Sequence, residues 1–369
     1  MINLVRTSTQ TALDRFFNLI EIPQTNMTQQ SFSEARQKLK PEACRELFLQ
    51  TVKSVYSQDV SRWHGMVVIA IDGSKIQLPD DKQLLKTYGG MGPDGSSPTA
   101  QASVAYDILN NIIVDADIEP LSISEHELVD RHLDRISNIP GIGVLMNVLD
   151  RGYSSYPIMA KMNEKGMKFL IRLRRKFNLD IDALGIGIHD FVLNELSVRV
   201  IKFVLPSGET ETLVTNLFDA RMKIKAFKQL YFMRWGVETQ YGKVKLKFEI
   251  ENFSGRTAIA IQQDFYITTM LSNLVSIGAQ EAQPAIDFAR EGKGNKYRYK
   301  VNMNQAIGTF KDCFILALLD SDPEKRIAKT DEIIKRLSKN VIPDRKGRSR
   351  PRNPSPRKAR FHHNQKSNC

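Results

Sequence analysis

Four residues in the run KQLYFMRWGVETQYGKVKLKFE have the types and spacing of a reactive helix face. Arg234, Glu238 and Lys245 follow Tyr231 by three, seven and fourteen residues. On an α-helix those offsets keep to one narrow stripe. A carboxylate flanked by cations suits the holding of a metal ion beside a phosphate backbone. Arg234 would grip a phosphate with two N–H groups and Lys245 as a point charge. Tyr231 would hydrogen-bond a phosphate or stack on a sugar or base. The alternatives are plain. Arg234 and Glu238, four apart, also fit a surface ion pair. Tyr231 also fits a core position, and Lys245 a solvated basic face with Lys243 and Lys247.

One acid rarely holds a divalent ion alone, and two others stand out by position. Asp72 ends the apolar run MVVIAID, residues 66–72, and Asp150 ends IGVLMNVLD, residues 142–150. Strand ends of an α/β sheet present side chains at an open edge where ligands bind. A helix crossing that edge would bring Glu238 to both. Three unneutralised carboxylates repel at close range, so the cluster makes sense around a cation. Oxygen ligands suit Mg2+ or Mn2+. Two such ions, about 4 Å apart, activate a water or hydroxyl nucleophile and stabilise the leaving oxygen of a phosphodiester. Taken singly, each acid also reads as a turn or cap residue. Asp107, Asp115 and Asp117 are assigned to that ordinary class, as turn or exposed hairpin acids. His64, His126, His132 and His189 are scattered, and His126 with His132 lacks a zinc spacing. If Glu238 is not the third ligand, Glu249 and Glu251 are next in line.

The elements that must position these groups alternate in kind. The first sixty residues read as helical, with Ser31 or Ser33 as an N-cap and Pro41 opening a second helix. MVVIAID reads as a buried strand, with Gly73 letting the chain turn, and Tyr88–Pro98 as a Gly-rich surface loop. ASVAYDI and NIIVDADI read as a hairpin about Asn110-Asn111. SEHELVDRHLDRI reads as a helix with Leu128, Leu133 and Ile136 toward the core. A strand to Asp150, a helix near YPIMAKMNEKG and the strand MKFLIRLRRK complete an α/β core. Residues from Phe177 to about Arg221 alternate like antiparallel strands, with a turn at Pro206-Ser207-Gly208, and read as a β-rich insertion. The helix with the opening motif then starts near Lys223. A second apolar helix follows to about residue 280, then a polar helical segment to about 340.

The chain of 369 residues carries a net charge of +12, which favours a polyanionic partner, most often nucleic acid. Nine basic residues and one acid lie from Asp344 onward, among three prolines. That tail is expected to be disordered when free, and either to add salt-sensitive phosphate affinity or only to aid solubility. Cys44, Cys313 and Cys369 offer neither a metal-ligand spacing nor a disulfide framework. No signal-peptide pattern or membrane-length apolar run is present, so a cytoplasmic, nucleoid-associated protein is expected.

With Tyr231, Arg234, Glu238 and Lys245 separated by two, three and six residues, the pattern resembles the YREK signature of DDE transposases of the insertion-sequence 4 family. IDGS at Asp72 and LDRGYSS at Asp150 resemble that family's two aspartate motifs. The resemblance implies an RNase H-like core, metal ligation by Asp72, Asp150 and Glu238, and two Mg2+ ions with Mn2+ as a substitute. It implies cleavage at the ends of a bacterial insertion sequence and transfer of the 3′-hydroxyl into target DNA, by a homodimer holding double-stranded DNA ends. The expected layout is a helical DNA-binding domain over 1–60, the core over 61–176 and 223–280, and the β-rich insertion over 177–222. A helical region, a candidate for dimerisation, follows over 281–340, and the basic tail over 341–369. Some relatives use a Trp in the insertion to hold a flipped base. Here Trp63 and Trp235 are the two tryptophans and both lie outside it, leaving Phe177, Phe191, Phe203 or Phe218 to stack. A nuclease on the same core without strand transfer, or a non-enzymatic DNA-binding relic, is the alternative.

Overall fold

The apolar, β-branched run VVIAI is buried residue by residue and starts the central strand of the protein. This computed structural model describes residues 8–21, 27–246, 248 and 250–345, and the side chains of 241 and 243–246 fall outside that description. The basic tail from residue 346 onward and Glu249 also lie outside the described residues. The chain divides into two compact units: residues 1–48, 77–98 and 244–369, and residues 49–76 and 99–243.

Helices α1 (Thr9–Leu19), α2 (Gln29–Gln37) and α3 (Pro41–Tyr56) open the chain. The cap of α2 is Thr28, whose hydroxyl accepts from Ser31 N–H at 3.1 Å, so Ser31 lies inside the helix it was expected to cap. Strand β1 (Val67–Gln77) leads to α4 (Lys82–Tyr88), then β2 (Gly90–Met91), β3 (Ser97–Asp107) and β4 (Ile112–Glu119). Part of the expected Gly-rich loop is therefore ordered as β2, paired with the start of β3. Helix α5 (Glu125–Ile136), capped by Ser124, buries Leu128, Leu133 and Ile136 as expected. Next come β5 (Leu145–Leu149), α6 (Tyr156–Glu164), β6 (Lys168–Arg172) and α7 (Leu179–Ala183). Strands β7 (Gly187–Leu193), β8 (Leu196–Val204) and β9 (Thr210–Thr215) precede α8 (Ile224–Phe232) and α9 (Trp235–Leu246). The chain closes with α10 (Ala258–Phe288), β10 (Tyr299–Val301), α11 (Met303–Leu318), α12 (Pro323–Lys339) and β11 (Val341–Pro343).

The main sheet has nine strands in the order β2-β3-β1-β5-β6-β9-β8-β7, with β4 on β3. Strands β1, β5 and β6 are parallel, and β3 and β4 are antiparallel neighbours. The order β4-β3-β1-β5-β6 in these directions is that of an RNase H-like core, so the fold is mixed α/β as expected. The β-rich segment does not form a separate layer. It continues the sheet, with β9 antiparallel to β6 at Leu170↔Thr215. One core cluster packs Val68, Val148, Leu170, Ile201, Leu213, Phe227 and Leu230, so α8, which carries Tyr231, rests on these strands.

In the other unit, α10 is the spine. Val275 and Leu271 pack with Phe310 of α11 and Leu337 of α12. Arg36 of α2 is buried against α10, donating to Gln263 Oε1 at 2.8 Å and Asp264 Oδ1 at 3.0 Å. A buried guanidinium is tolerable only with such full pairing. Helix α10 also runs on through Pro284, past its expected end near residue 280.

Two local expectations fail. Gly73 is no turn: β1 continues to Gln77, so Asp72 sits within the strand. Nor is the motif carried by one unbroken helix. It breaks between α8 and α9, where Arg234 N–H bonds Tyr231 O and Val237 N–H bonds Arg234 O, each three residues back. That tighter turn changes the angular spacing across the break.

Candidate active site

Strand β1 pairs with β5 from Val67↔Leu145 to Ala70↔Val148. The same offset carried two residues past the ladder would set Asp72, still in β1, level with Asp150, which follows the end of β5. Neighbouring strands lie about 4.8 Å apart, so the chain leaves the paired ladder with the two aspartates near one sheet edge. Gly73 N–H donates to Asp72 Oδ1 at 2.9 Å. Burial pushes the Asp72 carboxyl up to about 6, with the negative charges of Glu238 and Glu125 adding to it, while Gly73 N–H and Arg234 oppose the rise.

The break between α8 and α9 brings the other groups to this edge. Tyr231 Oη donates to Asp150 Oδ1 at 3.1 Å, and Arg234 Nη2 donates to Glu238 Oε1 at 2.8 Å. This is not the exposed ion pair considered above, because the Arg234 side chain is 4% exposed and Glu238 35%. Burial works against the Arg234 charge; the Glu238 bond and the charge of Asp150 more than restore it. One guanidinium thus acts on all three acids, since it also lowers Asp72. Its remaining face meets the exposed Trp235 ring at 4.9 Å. The three acids and Arg234 therefore come together. Tyr231 and Arg234 face the acids rather than solvent. Lys245 lies in α9, and its side chain is outside the described residues.

Sequence reasoning missed several neighbours. Glu211 of β9, paired to Arg172 at 3.3 Å, is pushed up chiefly by burial and also by Asp150. Glu125 and His126 open α5, and Tyr153 follows Asp150 by three residues in LDRGY. Only that last proximity was visible in the chain. Of the stacking candidates, Phe203 is buried beneath Lys228 Nζ, 4.5 Å from its ring centre, whereas Phe218 is exposed with Arg199 at 5.3 Å.

The expectation for Asp115 and Asp117 needs correction, because both are buried. Strand β4 is covered on both faces, and α5 supplies the partners. Arg135 Nε donates to Asp115 Oδ2 at 2.6 Å and Arg135 Nη2 bonds Asp117. His132 Nδ1 bonds Asp115 Oδ2 at 2.7 Å. Asp107 is likewise buried, accepting from Tyr56 Oη at 2.7 Å and from the side chain and N–H of Asn110. Among the described residues, Asp115, Asp117 and His132 are the group whose ligand atoms all lie within 4.8 Å of one another. Arg135 already meets that charge. Asp72, Asp150 and Glu238 are less tightly drawn together, but they are all-oxygen donors and the Glu238 charge raises Asp72, which fits a hard divalent cation.

The family described as "Transposase DDE domain" matches residues 63–274, more than half of the chain and the whole of the acid-bearing region. No curated protein matches. Among solved structures, the chain is similar to the piggyBac transposase in a synaptic complex with hairpin DNA, at 11% identity and a TM-score of 0.45. That match covers 73% of this chain and 57% of the other, so this chain spans little more than half of that relative's length. On the family match, the chain belongs to the transposase DDE domain family.

Proposed function

We propose that this chain is the transposase of a bacterial insertion sequence of the insertion-sequence 4 type, cutting the ends of its element and joining their 3′-hydroxyls to target DNA. The observation that carries the reading is Arg234, which bonds Glu238 and acts electrostatically on both Asp72 and Asp150. Asp72, Asp150 and Glu238 would hold Mg2+, or Mn2+ in its place. When bound, the metal pair supplies a nucleophile at neutral pH and stabilises the leaving oxygen.

The chain's own residues do the positioning. Tyr231 orients Asp150 by its hydroxyl bond, and Arg234 holds Glu238 and offsets negative charge. Were Glu238 to ligate a metal, the Arg234 N–H groups would serve a phosphate beside the reacting one. Lys245 adds a second phosphate contact further along α9. Double-stranded element ends and target DNA are the partners, held by a homodimer, and the nucleoid is the working location.

The test supplies paired end sequences and a target duplex with Mg2+. Cleaved ends together with joined products support the reading, and Glu238→Gln should abolish both. Cutting without joined products would indicate a nuclease on the same core. Affinity without cutting would indicate a DNA-binding relic.

A further inference from the structure

The β1–β5 ladder ends at Ala70↔Val148, two residues short of the aspartates. Something else must fix the separation of Asp72 from Asp150, and the first turn of α5 touches the chain beyond both. A Cβ on Gly73 would stand 3.1 Å from Glu125 Oε1 and 2.8 Å from Gln101 Nε2, so the ends of both side chains lie against the glycine and would have to shift for any larger residue. Gln101, fully buried, donates to Glu125 Oε1 at 3.4 Å and accepts from Lys75 Nζ, tying α5 to β3 and β1. One residue on, His126 Nε2 bonds the Gly152 carbonyl at 2.8 Å. A carbonyl only accepts, so Nε2 carries the proton in this bond. The His126 ring also lies 6.3 Å from that of Tyr153. Tyr153 is 2% exposed, its hydroxyl is buried without a side-chain partner, and it lies in the field of Asp72, Glu125 and Asp150.

We propose that Glu125 and His126 are positioning residues: the first turn of α5 holds Gly73 and Gly152 together and so sets the spacing of the two aspartates. The proposal rests on reading Asp72 and Asp150 as metal ligands, and it adds the device that fixes their separation. Neither residue needs to touch metal or DNA. Glu125 acts through the backbone at Gly73, His126 through the backbone at Gly152.

The test compares the full-length wild type with His126→Ala, His126→Gln and Glu125→Ala. Hydrogen exchange without metal is read over residues 150–155 and 72–76, and single-turnover end cleavage is titrated with Mg2+. His126 is exposed, so its replacement should leave the fold intact. Losing one hydrogen bond should speed exchange at Tyr153 and Ser154 about fivefold in His126→Ala. The strand 145–149 should stay unchanged, and Glu125→Ala should loosen 72–76 instead. The Mg2+ concentration for half-maximal cleavage should rise about fivefold or more in either alanine variant, and His126→Gln, which keeps an N–H donor, should recover part of both changes. Unchanged exchange in both segments would overturn the proposal, as would slower cleavage with unaltered Mg2+ dependence. If the wild type cuts no DNA, the transposase reading fails, while the exchange data still decide whether the clamp exists.

Discussion

Two groups of carboxylates lie in the same unit and differ in how their charge is met. Asp115 and Asp117 are closed in by His132 and Arg135, with every short contact inside the protein. Asp72, Asp150 and Glu238 share one guanidinium among three acids, and Glu238 is a third exposed. The tighter cluster has the better ligand spacing, yet its cation is already built in as Arg135. The looser one includes Glu238, a third exposed, and shares the Arg234 guanidinium. Spacing alone does not mark a metal site; the ready-made cation in the tighter cluster argues against one there.

The largest effect that separates the clusters should be on catalysis. Asp72→Asn, Asp150→Asn or Glu238→Gln should each slow end cleavage about a thousandfold, from the loss of several kcal/mol of transition-state stabilisation. Circular dichroism should show an unchanged fold. Arg135→Ala should do the reverse. It leaves two buried carboxylates uncompensated and should cost about 3 kcal/mol in urea unfolding, with any folded fraction still cutting. A stable Arg135→Ala protein would mean that cluster is not an internal ion network.

Metal should stabilise through one cluster alone. Saturating Mn2+ should raise stability by about 2–3 kcal/mol at a hundred times its dissociation constant. The shift in melting temperature should vanish in Asp72→Asn. A shift that survives there and is lost in Asp117→Asn would reverse the assignment.

The smallest effect is one of pH. The Asp72 carboxyl stands at about 6, above its ordinary 3.8. The folded state therefore holds this proton more tightly than the unfolded one between those values, and stability falls as pH rises through that window. Ionised Asp72 then costs stability at neutral pH: at most about 3 kcal/mol from the shift, nearer 1–2 after solvent screening. In chelator, Asp72→Asn should melt higher than wild type at pH 7.5, with the gap closing by about pH 4. No gap at pH 7.5 would show that ionised Asp72 carries no such cost.

Much of the core was legible because its parallel strands are buried on both faces. MVVIAID and IGVLMNVLD show that as continuous apolar runs ending in the two acids. The hairpin acids misled because DAD in β4 alternates as though one face were wet, and only the position of α5 shows otherwise. Arg135 sits 18 residues beyond Asp117, a pairing no local pattern announces. Gly73 invited a turn because glycine usually supplies unusual backbone angles; its use here is close approach to Glu125. The break at Arg234 was hidden because no proline or glycine precedes it, and Gly236 only follows.

The most direct test replaces Mg2+ with Fe2+ and maps where locally generated hydroxyl radicals cut the protein backbone. The account predicts cuts clustered near residues 72, 150 and 238, suppressed by excess Mg2+. Cuts near 115–117 and 132 instead would contradict it.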